Sequence, residues 1–445
     1  MRAAESFALR FTSINLKELY ITKVGIDPTP GLDKIGGSKF EESLDENIEV
    51  ILRKARNCTY RFTSYRQKLF SKGKDSKPRE ICMPTVRDKL TLSALSQILD
   101  DVYGAKCVTP QPQHLVDAVR QQMQKGPFDA FVKIDVSGFY SSIDHEKLMR
   151  AIRRRIRKPE VLHLIEAAIR TPSSTYGSKT ISAREKGVPE GLSVSNKLAN
   201  IYVLDIDTAF KERSDCAYFR YVDDVLILCK ASDIEKMKDV IKRTIGKLGL
   251  SLNQKKCREG LLASDEFGYL GYVFEPNGEI TVRRSSILNI EQALESMFRQ
   301  FEKDKPAHWH WKLNLRITGC RIEDDEGLFE RYGWLHYFSR INNVKLLCHL
   351  DWMVNKFFIK YSIERPDDLK YFRKAFYELT FNASSTKYIP TFSPNTPLET
   401  KRRMLSEVFS ELDVESMDDK EVSRLFNKRT RREARRLERD IGRLS

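Results

Sequence analysis

Three aspartates stand where they could do chemistry together. Asp135 ends the apolar run AFVKID, and Asp223 and Asp224 are adjacent within AYFRYVDDVLILC, residues 217–229. Residues 217–219 and 225–229 are apolar and β-prone, and they flank Tyr221-Val222-Asp223-Asp224. That spacing predicts a hairpin with two carboxylates at its tip. Adjacent carboxylates repel unless a cation lies near them, and hard divalent ions such as Mg²⁺ take oxygen ligands of this kind. Two such ions hold both the attacking and the leaving oxygen of an in-line phosphoryl transfer. Taken alone, the tetrapeptide is equally well an ordinary Asp-Asp turn on a solvated hairpin. Its neighbours decide between the two.

Asp135 is expected at the C-terminal end of a strand against which the 217–229 hairpin can lie antiparallel, so that the three carboxylates bridge two ions. Tyr140 follows five positions later, where its ring could close over the sugar of an incoming nucleotide and exclude a 2′-hydroxyl. Between these groups lies the turn-rich segment 187–195, GVPEGLSVS, opening onto a helix expected over 196–210. Gly187 and Gly191 permit close backbone approach. Ser193 and Ser195 are natural N-cap residues, and a helix N-terminus suits an anion or nucleotide. By itself this stretch reads as well as a plain capped loop.

The elements that must carry these groups follow from periodicity. Residues 40–56 and 87–102 place apolar residues at helical spacing. Residues 60–70 and 79–83 read as two strands around a basic turn, KGKDSKP, which could fold over phosphates or simply keep an edge soluble. Helices are expected at 143–156, with an arginine-rich solvated face, and at 234–248, followed by a brief strand at 250–253. Residues 267–282 form strands with an Asn277-Gly278 turn signal. Aromatic-rich helices then run to about 385. Pro390, Pro394 and Pro397 punctuate a linker, and a charged helical tail places Arg432, Arg435, Arg436, Arg439 and Arg443 on one face.

The 445 residues exceed one ordinary core, and the 77 Lys+Arg against 62 Asp+Glu leave a net charge of +15. That excess favours nucleic acid over membrane as partner, because each neutralised phosphate releases counterions. Charge alone does not separate a polymerase from a ribosomal or architectural protein. The eight scattered cysteines have no zinc spacing and read as reduced core thiols of a cytoplasmic protein. No apolar stretch is long enough to span a bilayer.

Order, spacing and residue types resemble the reverse transcriptase family from about Tyr60 to Tyr272. Asp135-Val136-Ser137-Gly138-Phe139-Tyr140 is similar to its first catalytic block, and GVPEGLSVSNKLANI (187–201) to its G-x-P-Q-G-x-x-x-S-P-x-L-x-N block. YVDD is similar to the Y-x-D-D box, GLSLNQKKC (249–257) to G-L-x-L-x-x-x-K, and FGYLGY (267–272) to the primer-grip hairpin. The chain departs at Glu190, where the family has Gln, at Asn196, where it has Pro, and at Val222, where bacterial members more often have Ala. Glu190 adds a negative charge where a neutral amide would touch nucleotide or template.

The resemblance implies an α+β right-hand polymerase fold: fingers within 1–130, palm at 131–285, a helical thumb at 286–388, and a linker with basic tail at 389–445. It implies an RNA-directed DNA polymerase using two Mg²⁺ ions, with Mn²⁺ as a substitute, held by Asp135, Asp223, Asp224 and the Val136 carbonyl. Lys77, Arg79, Tyr140, Gly191, Ser195 and Lys256 would meet the nucleotide. Glu190, Asn200, Tyr221, Tyr269 and Gly271 would meet template or primer. Partners would be an RNA template, expected to be a dedicated non-coding RNA, with dNTPs and a DNA product. A second copy of the chain or a second protein from the same locus is a further expected partner. The chain lacks an intron-type nuclease domain bearing C-x-x-C and has too few residues after the thumb for a ribonuclease H domain. Together with Asn196 and the segment 313–342 this looks most like bacterial defence-associated and abortive-infection enzymes, with retron enzymes next. An RNA-synthesising polymerase, which Tyr140 argues against, a mobile-element enzyme and a non-catalytic maturase-like RNA binder are the alternatives.

Overall fold

The computed structural model describes residues 1–25, 28–70, 78–175, 183–324, 327–409 and 413–442. The chain forms two compact units, one of Met1–Pro110 with Lys125–Gly260 and the other of Gln111–Gln124 with Leu261–Ser445. This division is coarser than the four segments read from the sequence, whose hand-like limits stand as a proposal.

The first unit is built around a sheet in which Asp224–Cys229 lies between Cys216–Tyr221 and Ala130–Asp135, both antiparallel to it. Every residue of that central strand is buried. A strand covered on both faces has no polar alternation to show, which is why VLILC reads as a continuous apolar run. The amphipathic helix Ile234–Lys247 packs on it through Met237, Ile241 and Ile245. The register pairs Asp135 with Asp224 and Tyr221 with Asp224, so Asp135 meets the distant hairpin tip at one end of the sheet.

A second sheet pairs Tyr65–Phe70 with Arg79–Met83 in antiparallel register, Phe70 opposite Arg79, and adds Ser173–Ser174. The basic turn between the two long strands, with Lys77, lies outside the described residues. The helix Val86–Tyr103 begins at Thr85, whose side chain accepts from Asp88 N at 3.1 Å. The helix expected over 40–56 is two, Gly37–Glu42 and Leu44–Arg56, and that over 196–210 is also two, Ser195–Tyr202 and Leu204–Lys211. Helical periodicity passes over a one-residue break without changing phase enough to show. The strand expected at 250–253 is a single bridge, Val136 to Leu252.

In the second unit Phe267–Tyr269, Tyr272–Phe274 and Ile280–Val282 form an antiparallel three-stranded sheet. Helices Arg284–Arg299, Pro306–Thr318, Val344–Lys360 and Phe372–Phe381 follow. The expected run of helices is interrupted by a sheet of Cys320–Glu323, Phe329–Tyr332 and Thr391–Phe392. The proline-rich stretch is therefore no free linker: it brings Phe392 into a core. Leu398–Val408 and Asp419–Leu437 complete that core with Leu405, Val422, Phe426 and Ala434. Glu433 pairs with Arg436 and Asp440 with Arg316, so part of the basic tail is tied into the unit. Arg432, Arg435 and Arg439 remain exposed, and Arg443 lies outside the described residues. All eight cysteines are free thiols. No helix among the described residues is long and apolar enough to cross a membrane.

Candidate nucleotidyl-transfer site

The hairpin tip is a tight connection in which Val222 adopts a left-handed φ of 57°. A β-branched residue is strained there, so the surroundings must impose the conformation. Arg220 does so. Its Nη1 donates to the Val222 carbonyl at 2.9 Å and to Asn200 Oδ1 at 3.0 Å. Its Nε and Nη2 hold Asp207 at 2.7 and 2.5 Å, and Tyr218 also donates to that carboxylate.

Asp224 is 6% exposed and lies 3.5 Å from Lys133 Nζ. Lys133 sits two residues before Asp135 on the same face of its strand, diagonal to Asp224 across the ladder. Burial pushes the Asp224 carboxyl up to about 6, with Asp223 and Asp135 adding to the rise and Lys133 opposing it. Burial likewise raises Asp223, reinforced by Asp135. Asp135 is held by Asn253 Nδ2 and Lys256 Nζ, each at 3.2 Å, while Asn253 N donates to the Asp135 carbonyl at 2.8 Å. One buried oxygen, Asp224 Oδ1, has no hydrogen-bond partner. A hard cation fits this end of the sheet: it would satisfy that oxygen and offset three clustered carboxylates. Among the described residues no group of three or more acidic, histidine or cysteine side chains is arranged to hold a metal ion by itself. Mg²⁺ keeps several waters and takes substrate phosphates as ligands, so one or two carboxylates with the substrate would complete its shell.

Tyr140 lies near this end, its ring edge-on to Phe139 and its hydroxyl donating to Asn196 Oδ1 at 2.5 Å. Burial raises the phenol, and Asp223 and Glu190 add to the rise. Gly187, with φ of 85°, is packed so closely on Ser141 that a Cβ would meet its Cα at 2.9 Å. Val188 N donates to the Tyr140 carbonyl at 2.8 Å. The 187–195 segment is thereby pressed against the Tyr140 turn on one side. On the other side Cys82 N donates to the Glu190 carbonyl at 2.7 Å. Gly191, with φ of 99°, would bring a Cβ within 2.9 Å of the Cys82 carbonyl. Arg79 Nε donates to Glu190 Oε2 at 2.5 Å.

Asp135, Asp223, Asp224, Tyr140, Arg79, Glu190 and Lys256 are thus linked through short contacts and shared electrostatics within the first unit. Tyr221 ends the strand opposite Asp224, and Val136 bridges to Leu252. Two residues are placed differently from the surface expected of them. Ser195 is 1% exposed and donates to the Pro189 carbonyl at 2.5 Å. Asn200, 4% exposed, donates to the Cys107 carbonyl and to Thr109 Oγ1 and accepts from Arg220. Both brace the site from behind. Tyr269 and Gly271 belong to the second unit, where Tyr269 is fully buried and Gly271 turns with φ of 81°. Sequence reasoning missed Lys133, Arg220, Asp207 and Asn253. Lys133 was legible by strand alternation; the other three depend on long-range packing.

The family model for "Reverse transcriptase (RNA-dependent DNA polymerase)" matches residues 71–274, which span all of these groups. Residues 71–274 are a reverse transcriptase domain. This domain is of the RNA-directed DNA polymerase class, with a right-hand polymerase fold. Protein YkfC of Escherichia coli is 22% identical, over 55% of this chain and 75% of its own length. The group II intron-encoded protein LtrA of Lactococcus lactis is 27% identical over 37% of this chain. The chain spans only 28% of LtrA's length. Two telomerase structures also align. That from Candida albicans, with a fragment of telomeric RNA, covers 86% of this chain and 69% of its own, at 14% identity and a TM-score of 0.47. Apo telomerase from Candida tropicalis covers 88% and 74%, at 14% identity and a TM-score of 0.46. The reverse transcriptase domain thus includes the sheet end where the carboxylates meet.

Proposed function

We propose that Asp135, Asp223 and Asp224 hold two divalent ions, Mg²⁺ in the cell, for templated addition of dNTPs to a primer on RNA. The observation that carries this reading is the register that sets Asp135 opposite Asp224, with Asp223 adjacent and one Asp224 oxygen buried without a partner. The Val136 carbonyl would complete the ion shell. The ions supply the charge that stabilises attacking and leaving oxygens. The chain's own groups orient the reactants. Arg79 and Lys256 would meet the triphosphate, and the Tyr140 ring, tethered to Asn196, would exclude a 2′-hydroxyl.

The test is primer extension on a primed RNA template with dNTPs and Mg²⁺. Wild type is expected to extend, and Asp223→Asn and Asp224→Asn to lose extension by orders of magnitude while still binding RNA. Near-native extension by either variant would remove these residues from the metal site.

The template is proposed to be a dedicated non-coding RNA and the biological role antiphage defence, on the resemblance of segment 313–342 and Asn196 to defence-associated enzymes. Sequencing nucleic acid that co-purifies with the protein identifies the template. Phage plating of cells with the native locus, against the same locus carrying Asp223→Asn and Asp224→Asn, tests the role. Protection lost with the carboxylates supports it; new genomic copies of the template without protection favour a mobile element.

A further inference from the structure

Glu190 is the departure from the family pattern that adds charge to the site, and its carboxylate is engaged by the arginine proposed to receive the triphosphate. Arg79 Nε and Glu190 Oε2 are 2.5 Å apart, with the side chains 30% and 24% exposed. Such a pair is partly desolvated and therefore stronger than a surface pair. The two partners are not equally movable. Glu190 is fixed by its backbone: Cys82 N bonds its carbonyl, Gly191 lies directly on the Cys82 strand, and Ser195 Oγ bonds Pro189 O beside it. Arg79 opens the Arg79–Met83 strand on a long flexible side chain, and among the described residues its terminal nitrogens have no partner.

A nucleoside triphosphate approaching Arg79 therefore meets a guanidinium whose charge is already matched. To gain the guanidinium the polyanion must displace the carboxylate, which weakens binding relative to a neutral amide at the same position. Asp135 and Asp223 add negative charge nearby, and the Arg79 cation already acts on Asp223, so its charge is shared between two sets of carboxylates.

Resting on the polymerase reading above, we propose that Glu190 is a positioning residue that competes with the nucleoside triphosphate for Arg79. Nucleotide entry then requires Arg79 to leave Glu190, and the affinity for dNTP is set by that exchange. No covalent step is involved, and Glu190 acts only through Arg79.

Single-nucleotide incorporation on a primed RNA template tests this with wild type, Glu190→Gln, Arg79→Ala and the double variant. Glu190→Gln is expected to lower KM for dNTP by about three- to tenfold, the range of one partly buried charge pair, with kcat changing less than KM. Arg79→Ala is expected to raise KM, and adding Glu190→Gln to it to give no further gain, because the competition runs through the guanidinium. An unchanged or higher KM in Glu190→Gln overturns the proposal, as does an equal fall in KM when Arg79 is absent. Binding of dATP with Ca²⁺ to wild type is measured in parallel. Incorporation by wild type with no KM change in Glu190→Gln defeats the competition alone. Wild type that neither incorporates nor binds a nucleoside triphosphate defeats the polymerase reading, and the competition with it.

Discussion

Asp224, proposed above as a metal ligand, carries a cost in the metal-free fold. Its side chain is buried, one oxygen lacks a partner, and two further carboxylates lie close. Replacing it by Asn removes a charge that burial and two neighbouring carboxylates disfavour more than Lys133 favours it. Metal-free Asp224→Asn is therefore expected to be at least as stable as wild type, by up to about 1–3 kcal/mol, the desolvation scale of a buried polar group. Chemical unfolding with and without Mg²⁺ checks this: Mg²⁺ should stabilise wild type and have little effect on the variant. Tyr140 makes the complementary case, since its ring is held in place by Phe139 and Asn196. Tyr140→Ala is expected to relax discrimination against ribonucleotides by about tenfold or more, on the scale of opening a pocket wall. The ratio of dNTP to rNTP incorporation measures it, and an unchanged ratio moves the sugar gate elsewhere.

The hairpin Cys216–Tyr221 to Asp224–Cys229 works only if its tip keeps the left-handed Val222. Its anchor is Arg220, which ties Asp207, Asn200 and the Val222 carbonyl together below the tip. Arg220 and Asp207 are 11% and 12% exposed. Arg220→Met leaves the Asp207 carboxylate buried without its cation, a loss expected to cost about 3–5 kcal/mol. Asp207→Asn with Arg220→Met should recover part of it, since the buried charge is then removed as well. Urea unfolding of the two single variants and the double variant yields the coupling directly. Extension activity should fall in Arg220→Met even below its unfolding midpoint, because the tip is no longer fixed.

The second unit of the molecule gains its core from chain segments far apart in sequence, and this governs how its basic surface can be probed. Phe426 is 1% exposed among Phe392, Leu405 and Val422, so Phe426→Ala is expected to destabilise by about 3–5 kcal/mol. Removing the chain after Ser423 would unfold this core, and a loss of RNA affinity would then say nothing about charge. The informative variant neutralises Arg432, Arg435 and Arg439, which are exposed. If they meet RNA phosphates, the slope of log affinity against log salt should shallow by about 2–3. His336 in the same unit is buried, and burial, with Arg331 and Arg321 adding, depresses it to about 3. Its unfolded-state value is near 6.5, so the stability of the neutral ring is intact above pH 6.5 and is lost as pH falls toward 3. About 2 kcal/mol should disappear between pH 6.5 and 5, and His336→Phe should flatten that part of the curve.

What the sequence determined was the local chemistry and the elements that carry it. AFVKID, YVDD and the Gly-Val-Pro-Glu-Gly segment name their own conformations, because strand alternation, turn residues and glycine freedom act within a few residues. Their spacing was enough to foresee a hairpin beside a strand with three carboxylates at one end. The tertiary structure decided the rest, because it depends on partners distant in the chain. Asn200 and Ser195 turned inward because Cys107, Thr109 and Pro189 were there to satisfy them. The proline-rich stretch and tail became core because Cys320–Glu323 offered a strand edge to Thr391–Phe392, and an apolar bed lay beneath the final helices. Glu190 read in sequence as an unexplained charge. Only the clamp between Tyr140 and the Cys82 strand brought it within one hydrogen bond of Arg79.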